Sequence, residues 1–307
     1  MAILLHESGI KVTGSDLERN HKTALLEEKS VSISIGHRAE NLAQSIDLLV
    51  ISSAVNETNP ELIAARAMKL TIMSRGDFLD ALCKSYDQVI AVGGSHGKTT
   101  VSTMIAWIFH ACNQPASWMI GGDPNSKDLP FAHFNKKGPL IIEADESDGT
   151  IGKLSAFSGV LVNTDDDHSW NLGGPEALKN VFRTFCTQSD TVFCGNDALT
   201  IDTVGDLDNV QVLKNLGPAQ IKLPQAGQFM QTNAGLAIQV ALRHGISEKD
   251  AIIALGKFPG VERRSQIHFQ TEHLTLFEDY AHHPRELNAL CSAVAEQAPN
   301  SHKIAVF

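Results

Sequence analysis

Short apolar runs alternate with amphipathic stretches along most of this chain, and that alternation predicts an α/β protein. Residues 1–9 read as the end of a helix, and 10–13 as a short strand running into a Gly14-Ser15-Asp16 turn. Residues 48–53 and 70–73 are apolar runs of strand length. Between them, 59–68 form a helix opened by Asn59-Pro60-Glu61, where the asparagine caps and the proline takes the first helical position. A short amphipathic helix over 78–84 is followed by a polar step at 85–88 and a strand at 89–92. Val101, Met104, Ile105 and Ile108 then place one apolar face on a helix over 99–111, which Asn113-Gln114-Pro115 stops. Residues 121–130 form a turn-rich loop, 139–144 and 158–163 are buried strands, 199–228 is irregular, and 234–244 is a helix. Past Phe258-Pro259-Gly260 the pattern is strand 275–278, helix 284–297 and strand 303–307. Strands alternating with helices imply a parallel sheet, and a last strand with nothing to cover it leaves a doubly wound sheet in mid-fold.

Length and charge narrow the function. A chain of 307 residues exceeds the usual span of one compact domain, so two or three are expected. The net charge is −10 with no cluster of lysines and arginines, which removes the electrostatic basis for gripping nucleic acid or anionic lipid. No apolar run reaches the roughly 18 residues of a membrane span, and the opening residues lack the pattern of a signal peptide. A cytoplasmic enzyme is expected. Cys83, Cys112, Cys186, Cys194 and Cys291 are far apart with no CxxC spacing, so buried free thiols are expected rather than a zinc site or a disulfide frame.

The chemistry concentrates at Ala91-Val92-Gly93-Gly94-Ser95-His96-Gly97-Lys98-Thr99-Thr100. The strict Walker A pattern fails at Val92, but the shorter core stands. Gly93, Gly94 and Gly97 let backbone amides turn toward one point, the helix beginning near Thr99 adds its positive end, and Gly94, Ser95, Gly97 and Thr100 are expected to border the bound polyphosphate. Lys98 is placed for the β- and γ-phosphates of ATP, and Thr99 for a magnesium ion. Two acidic clusters end neighbouring strands, Glu143-Ala144-Asp145-Glu146-Ser147-Asp148 and Asn163-Thr164-Asp165-Asp166-Asp167-His168. Carboxylates at strand C-termini stand where open α/β sheets put their ligands, and such oxygens suit hard cations.

The loop Gly94 to Thr100, both acidic clusters, Ile35-Gly36-His37, Ser52-Ser53-Ala54-Val55, Phe258-Pro259-Gly260 with Arg263-Arg264, and Asp279-Tyr280-Ala281-His282-His283-Pro284 together resemble the Mur ligase family, in order along nearly the whole chain. The resemblance implies a three-domain α/β architecture. A Rossmann-like N-terminal domain (1–86) would take the UDP-sugar, a P-loop ATPase-like central domain with a mostly parallel sheet (87–256) would take ATP, and a partial Rossmann-like C-terminal domain (257–307) would serve the amino acid. It implies that ATP and magnesium drive amide formation between UDP-N-acetylmuramate and L-alanine through an acyl phosphate. By resemblance, Lys98, His96 and Arg264 are catalytic, and Asn233, Arg264 and Asp279 join the loop in holding the nucleotide. Thr99, Glu143 and His168 hold magnesium, and Ser15, Asp16, Ser52, Ser53, His96, Glu146 and His282 face the sugar nucleotide.

Departures from the family pattern sharpen the expectations. Phe229 and Met230 replace a histidine and an asparagine before Asn233, which removes an adenine contact, and Trp170 replaces an aspartate. The glycine-rich loop that cradles the uridine diphosphate is missing ahead of Ser15-Asp16, and the third domain stops early, so a chain lacking both ends is expected. Three other readings compete: a sister ligase that attaches a tripeptide, which Met119-Ile120-Gly121-Gly122 and Ala281 resemble; a noncatalytic nucleotide-binding scaffold; and a general P-loop hydrolase.

Overall fold

The computed structural model describes residues 1–306 apart from 43–44, 168, 214–220 and 226. The first elements are α1 (Ala2–Glu7), β1 (Thr13–Asp16), α2 (His21–Glu28), β2 (Ser32–Ile35), β3 (Leu48–Ile51), α3 (Pro60–Ala67), β4 (Thr71–Ser74) and α4 (Arg75–Cys83). Their strands form two parallel pairs, β1 with β2 and β3 with β4. The side chain of Asn59 caps α3 by accepting from the amides of Glu61 and Leu62, with Pro60 next to it, as the sequence predicts. One expectation fails here. Residues 10–12 are outside any strand, and β1 runs through Gly14, Ser15 and Asp16, because Thr13 to Asp16 pair in register with Ser32 to Ile35.

The centre consists of β5 (Val89–Gly93), α5 (Lys98–Ala111), β6 (Ser117–Met119), β7 (Ala132–His133), β8 (Leu140–Glu143), β9 (Ser158–Leu161), α6 (Pro175–Gln188), β10 (Val192–Cys194), α7 (Ala198–Val204), β11 (Val210–Val212), α8 (Gln228–Arg243) and α9 (Glu248–Leu255). Its strands make one seven-stranded sheet in the order β11-β10-β9-β5-β8-β6-β7, parallel except where β7 runs against β6. β5 shows why the sheet must be covered twice. Ile90 and Val92 enter one core with Met104, Ile105 and Ile108 of α5 and the apolar side of α8, whereas Val89 and Ala91 enter another with Phe182 and Phe185 of α6. A strand buried on both faces is apolar at every position, which explains its continuous hydrophobic run.

The chain ends with an antiparallel hairpin, β12 (Gln266–Gln270) and β13 (Thr275–Glu278), followed by α10 (Pro284–Gln297). Both β13 and α10 fall where the sequence puts them. Two other expectations do not hold: the stretch read as irregular contains α7 and β11, and residues 303–306 form no strand. Helix α8 also starts at Gln228, six residues ahead of the predicted 234. The thiol expectation holds for Cys83, Cys186 and Cys194, which burial pushes up to about 12, but Cys112 is half-buried and Cys291 is exposed. Phe182 is fully enclosed between α6 and the sheet. Phe182→Ala is expected to cost about 3–5 kcal/mol in urea denaturation, and a loss below about 1 kcal/mol would show that this core is not close-packed.

Candidate active site

The phosphate-type loop sits between β5 and α5, and its shape depends on two glycines with positive φ. Gly94 lies at φ 126°, where a Cβ would stand 2.9 Å from the carbonyl oxygen of Asn163, and Gly97 at φ 79° is the N-cap of α5. Asn163 holds the loop from the end of β9. Its Oδ1 accepts the amide of His96 at 2.9 Å, its Nδ2 donates to the carbonyl of His96 at 3.0 Å, and its own carbonyl accepts the amide of Ser95 at 3.3 Å. The hydroxyl of Ser95 donates to the carbonyl of Asp165 at 2.5 Å. Asn163 was visible in the sequence only as the start of an acidic cluster, and this clamp was missed.

Lys98 opens α5, and its ammonium donates to Glu146 at 2.7 and 3.0 Å and to the carbonyl of Ser95 at 3.2 Å. Glu146 is 2% exposed, and burial raises its carboxyl to about 7 despite the opposing pull of Lys98. Thr99 Oγ1 donates to Glu143 Oε1 at 3.0 Å, while Glu143 Oε2 accepts the amide of Gly121 at 3.0 Å. This pair fits a magnesium ion. All donors are hard oxygens, and a Cβ at Gly121 would come within 2.4 Å of Glu143 Oε2, so the glycine keeps that carboxylate's space open. Among the described residues no group of three or more acidic, histidine or cysteine side chains converges on a metal. His168, the other predicted ligand, lies outside the described residues.

A cavity of about 210 Å³ opens beside the loop, lined by His96, Gly97, Thr100, Asn233, Arg264 and Asp279 among others. These six belong to the set read from the sequence. Asn233, buried on α8, approaches Gly97, and Asp279 fastens the segment ahead of β12 by accepting the amide of Ser265 at 2.6 Å and that of Ala281 at 2.7 Å. Phe229 and Met230 line the same cavity, so it is more apolar at that end than the family pattern implies. A larger cavity of about 490 Å³ shares Gln225, Arg264, Ser265 and Leu290 with it and extends over Phe277 and Val294.

His96 is hemmed in by carboxylates, with Nδ1 3.3 Å from Glu286 and 4.0 Å from Asp167, and Nε2 3.6 Å from Asp165. Its ring lies 4.6 Å from that of His283, and among the described residues Nε2 is buried with no hydrogen-bond partner. Arg285 pairs with Asp165. The remaining predicted residues lie elsewhere. Ser15 donates to Glu61 at 2.6 Å, Asp16 accepts from Glu18 and Asn20, and Ser52 and Ser53 follow β3 in an exposed turn. His282 is exposed beside Tyr280. None of these five lines the cavity.

The fold is shared with known proteins. A family model described as Mur ligase family, catalytic domain, matches residues 1–87. The UDP-N-acetylmuramate–L-alanine ligase of Agrobacterium fabrum is 32% identical over 336 aligned residues, covering 96% of this chain and 70% of that protein. A solved UDP-N-acetylmuramate–alanine ligase from Thermotoga maritima superposes with a TM-score of 0.84 at 26% identity, covering 97% of this chain and 75% of that one. A murein peptide ligase from Psychrobacter arcticus shares the fold, with a TM-score of 0.78 at 24% identity over 97% of this chain and 74% of that one.

Glu146 gives a pH test. Its folded-state pKa lies above the ordinary 4.5, so its protonated form favours the folded chain. That contribution is full below the ordinary value and is lost as pH rises through about 7. Glu146→Gln should therefore lose less stability than the parent between about pH 5 and about pH 8 in urea midpoints. Equal losses in the two proteins would contradict the burial argument.

Proposed function

The chain belongs to the Mur ligase family, and from that premise we propose that it joins L-alanine to UDP-N-acetylmuramate at the expense of ATP. The observation that carries this reading is the contact of Thr99, at the start of α5, with Glu143, at the end of β8, with Lys98 paired to Glu146 next to it and a cavity bounded by Asn233 and Asp279 opening on the same loop. In this reading residues 1–86 hold the sugar nucleotide, 87–256 the ATP, and 257–307 contribute to the amino-acid side.

A carboxylate is a poor acyl donor because oxide cannot leave, so its oxygen must first accept the γ-phosphoryl group. The amine then attacks the acyl phosphate, and phosphate departs. Negative charge spreads over the transferring phosphoryl, and preorganised cations and amides are what a site can offer it. The glycine loop 94–97 with the start of α5 cradles the phosphates, and Lys98 leaves Glu146 to meet them. Arg264 faces the same space from the segment before β12, and His96 borders the reacting groups. Asn233 and Asp279 hold the base and ribose ends. Thr99 and Glu143 would hold magnesium, which supplies charge neutralisation between phosphate oxygens when bound.

Ser15, Asp16, Ser52, Ser53, Glu146 and His282 are assigned to the sugar nucleotide on the same premise. Relatives named for the alanine reaction match over nearly the whole chain and support L-alanine over a tripeptide as the amine. The intact lysine, threonine and glutamate set also argues against a scaffold. Among the described residues no helix is long and apolar enough to cross a membrane. On the family premise we place the chain in the cytoplasm.

Phosphate release should require ATP, magnesium, UDP-N-acetylmuramate and L-alanine together, and release without the sugar nucleotide would favour a general hydrolase instead. Lys98→Ala is expected to lower turnover by at least about 100-fold with an unchanged circular dichroism spectrum and melting temperature. Near-parental turnover would refute the role given to Lys98.

A further inference from the structure

Glu286 is the point where α10 meets His96 and Arg264 of the site. One oxygen, Oε2, accepts the backbone amides of His282 at 3.1 Å and His283 at 3.2 Å, closing the capping box that starts α10. The other, Oε1, lies 3.3 Å from Nδ1 of His96 and 3.9 Å from Nη1 of Arg264. The side chain is largely enclosed and lines the cavity beside the loop. A carboxylate anchored by two amides on one oxygen has little freedom left, so its second oxygen is a fixed reference point for whatever it touches.

We infer that Glu286 is a positioning residue for the transfer step, orienting the imidazole of His96 through Nδ1 and holding Arg264 over the cavity. Burial alone would push its carboxyl up, but the hydrogen bond from His96 and those from the two amides outweigh it and bring the group to about 2, so it stays charged. The charge matters for aim. With Nδ1 facing Glu286, the buried Nε2 of His96 is turned toward Asp165 at 3.6 Å, without a hydrogen-bond partner among the described residues, so the ring's orientation is set from the Nδ1 side. Arg264 is fixed from two sides, by Glu286 and by the ring of Tyr280, whose centroid lies 5.1 Å from its guanidinium carbon. Neighbouring Arg285 pairs with Asp165, so two consecutive residues of α10 tie this helix to the loop and to the end of β9.

The inference rests on the proposed ligase reading for its catalytic part, and the test separates the two. Glu286→Gln keeps an oxygen for the capping amides while removing the charge. In ligase assays we expect its kcat to fall about 10- to 100-fold with a smaller change in the KM for ATP and an unchanged far-ultraviolet circular dichroism spectrum. In the substrate-free chain we expect the ¹⁵N resonance of His96 Nδ1 to move in the variant, a readout that needs no turnover. The double variant Glu286→Gln, His96→Asn should be no slower than the worse single variant, because two groups acting as a unit are lost once. A parental kcat, an unmoved His96 resonance, or multiplicative losses in the double variant would overturn the inference. A parent without ligase activity whose His96 resonance still moves on substitution would overturn the ligase reading and leave the contact standing.

Discussion

The molecule depends on the parallel alignment of β5 with β8 on one side and β9 on the other. Val92 pairs with Glu143, and Gly93 with Leu161, so three strands end at nearly the same level. Everything chemical follows from that edge. The loop leaves β5, the carboxylates of Glu143 and Glu146 follow β8, and Asn163 and Asp165 follow β9. Shifting either pairing by one residue would turn Glu143 away from Thr99 and release the Asn163 clamp, because side chains alternate faces along a strand. The cores on the two faces resist such a slip, since each buries alternate residues of β5.

Legibility in the sequence followed the strength of local signals. The helix after Lys98, the capped start of α3 and the full extent of α10 were plain, because each combines a cap or breaker with an apolar face. α7 and β11 were not. The helix is 7 residues long and the strand 3, too short for periodicity to declare itself, and their form is set by packing beside α6 and pairing with β10. Met230 stands where the family pattern has an asparagine, and its apolar side chain is 4% exposed in the core on α8, in keeping with the loss of a polar contact there. His96, Gly97, Thr100, Asn233, Arg264 and Asp279, from distant parts of the chain, line one cavity. Glu286 was overlooked although His283-Pro284-Arg285-Glu286 has the spacing of a capping box, because a cap is normally read as structure alone.

The two ends of the cavity are held by different physics. On the loop side, α5 is embedded, with ten of its residues buried against the sheet and against α8 and α9. On the other side, α10 buries only Ala293 and reaches the loop through Arg285, Glu286 and their charged partners. Apolar burial has no charge to screen and the Glu286 contacts are largely enclosed, whereas the Arg285 side chain is 60% exposed, so its pairing with Asp165 is the contact that dissolved salt weakens first. The seating of α10 therefore feels the electrolyte through one outer charge, while the opposite wall answers to packing.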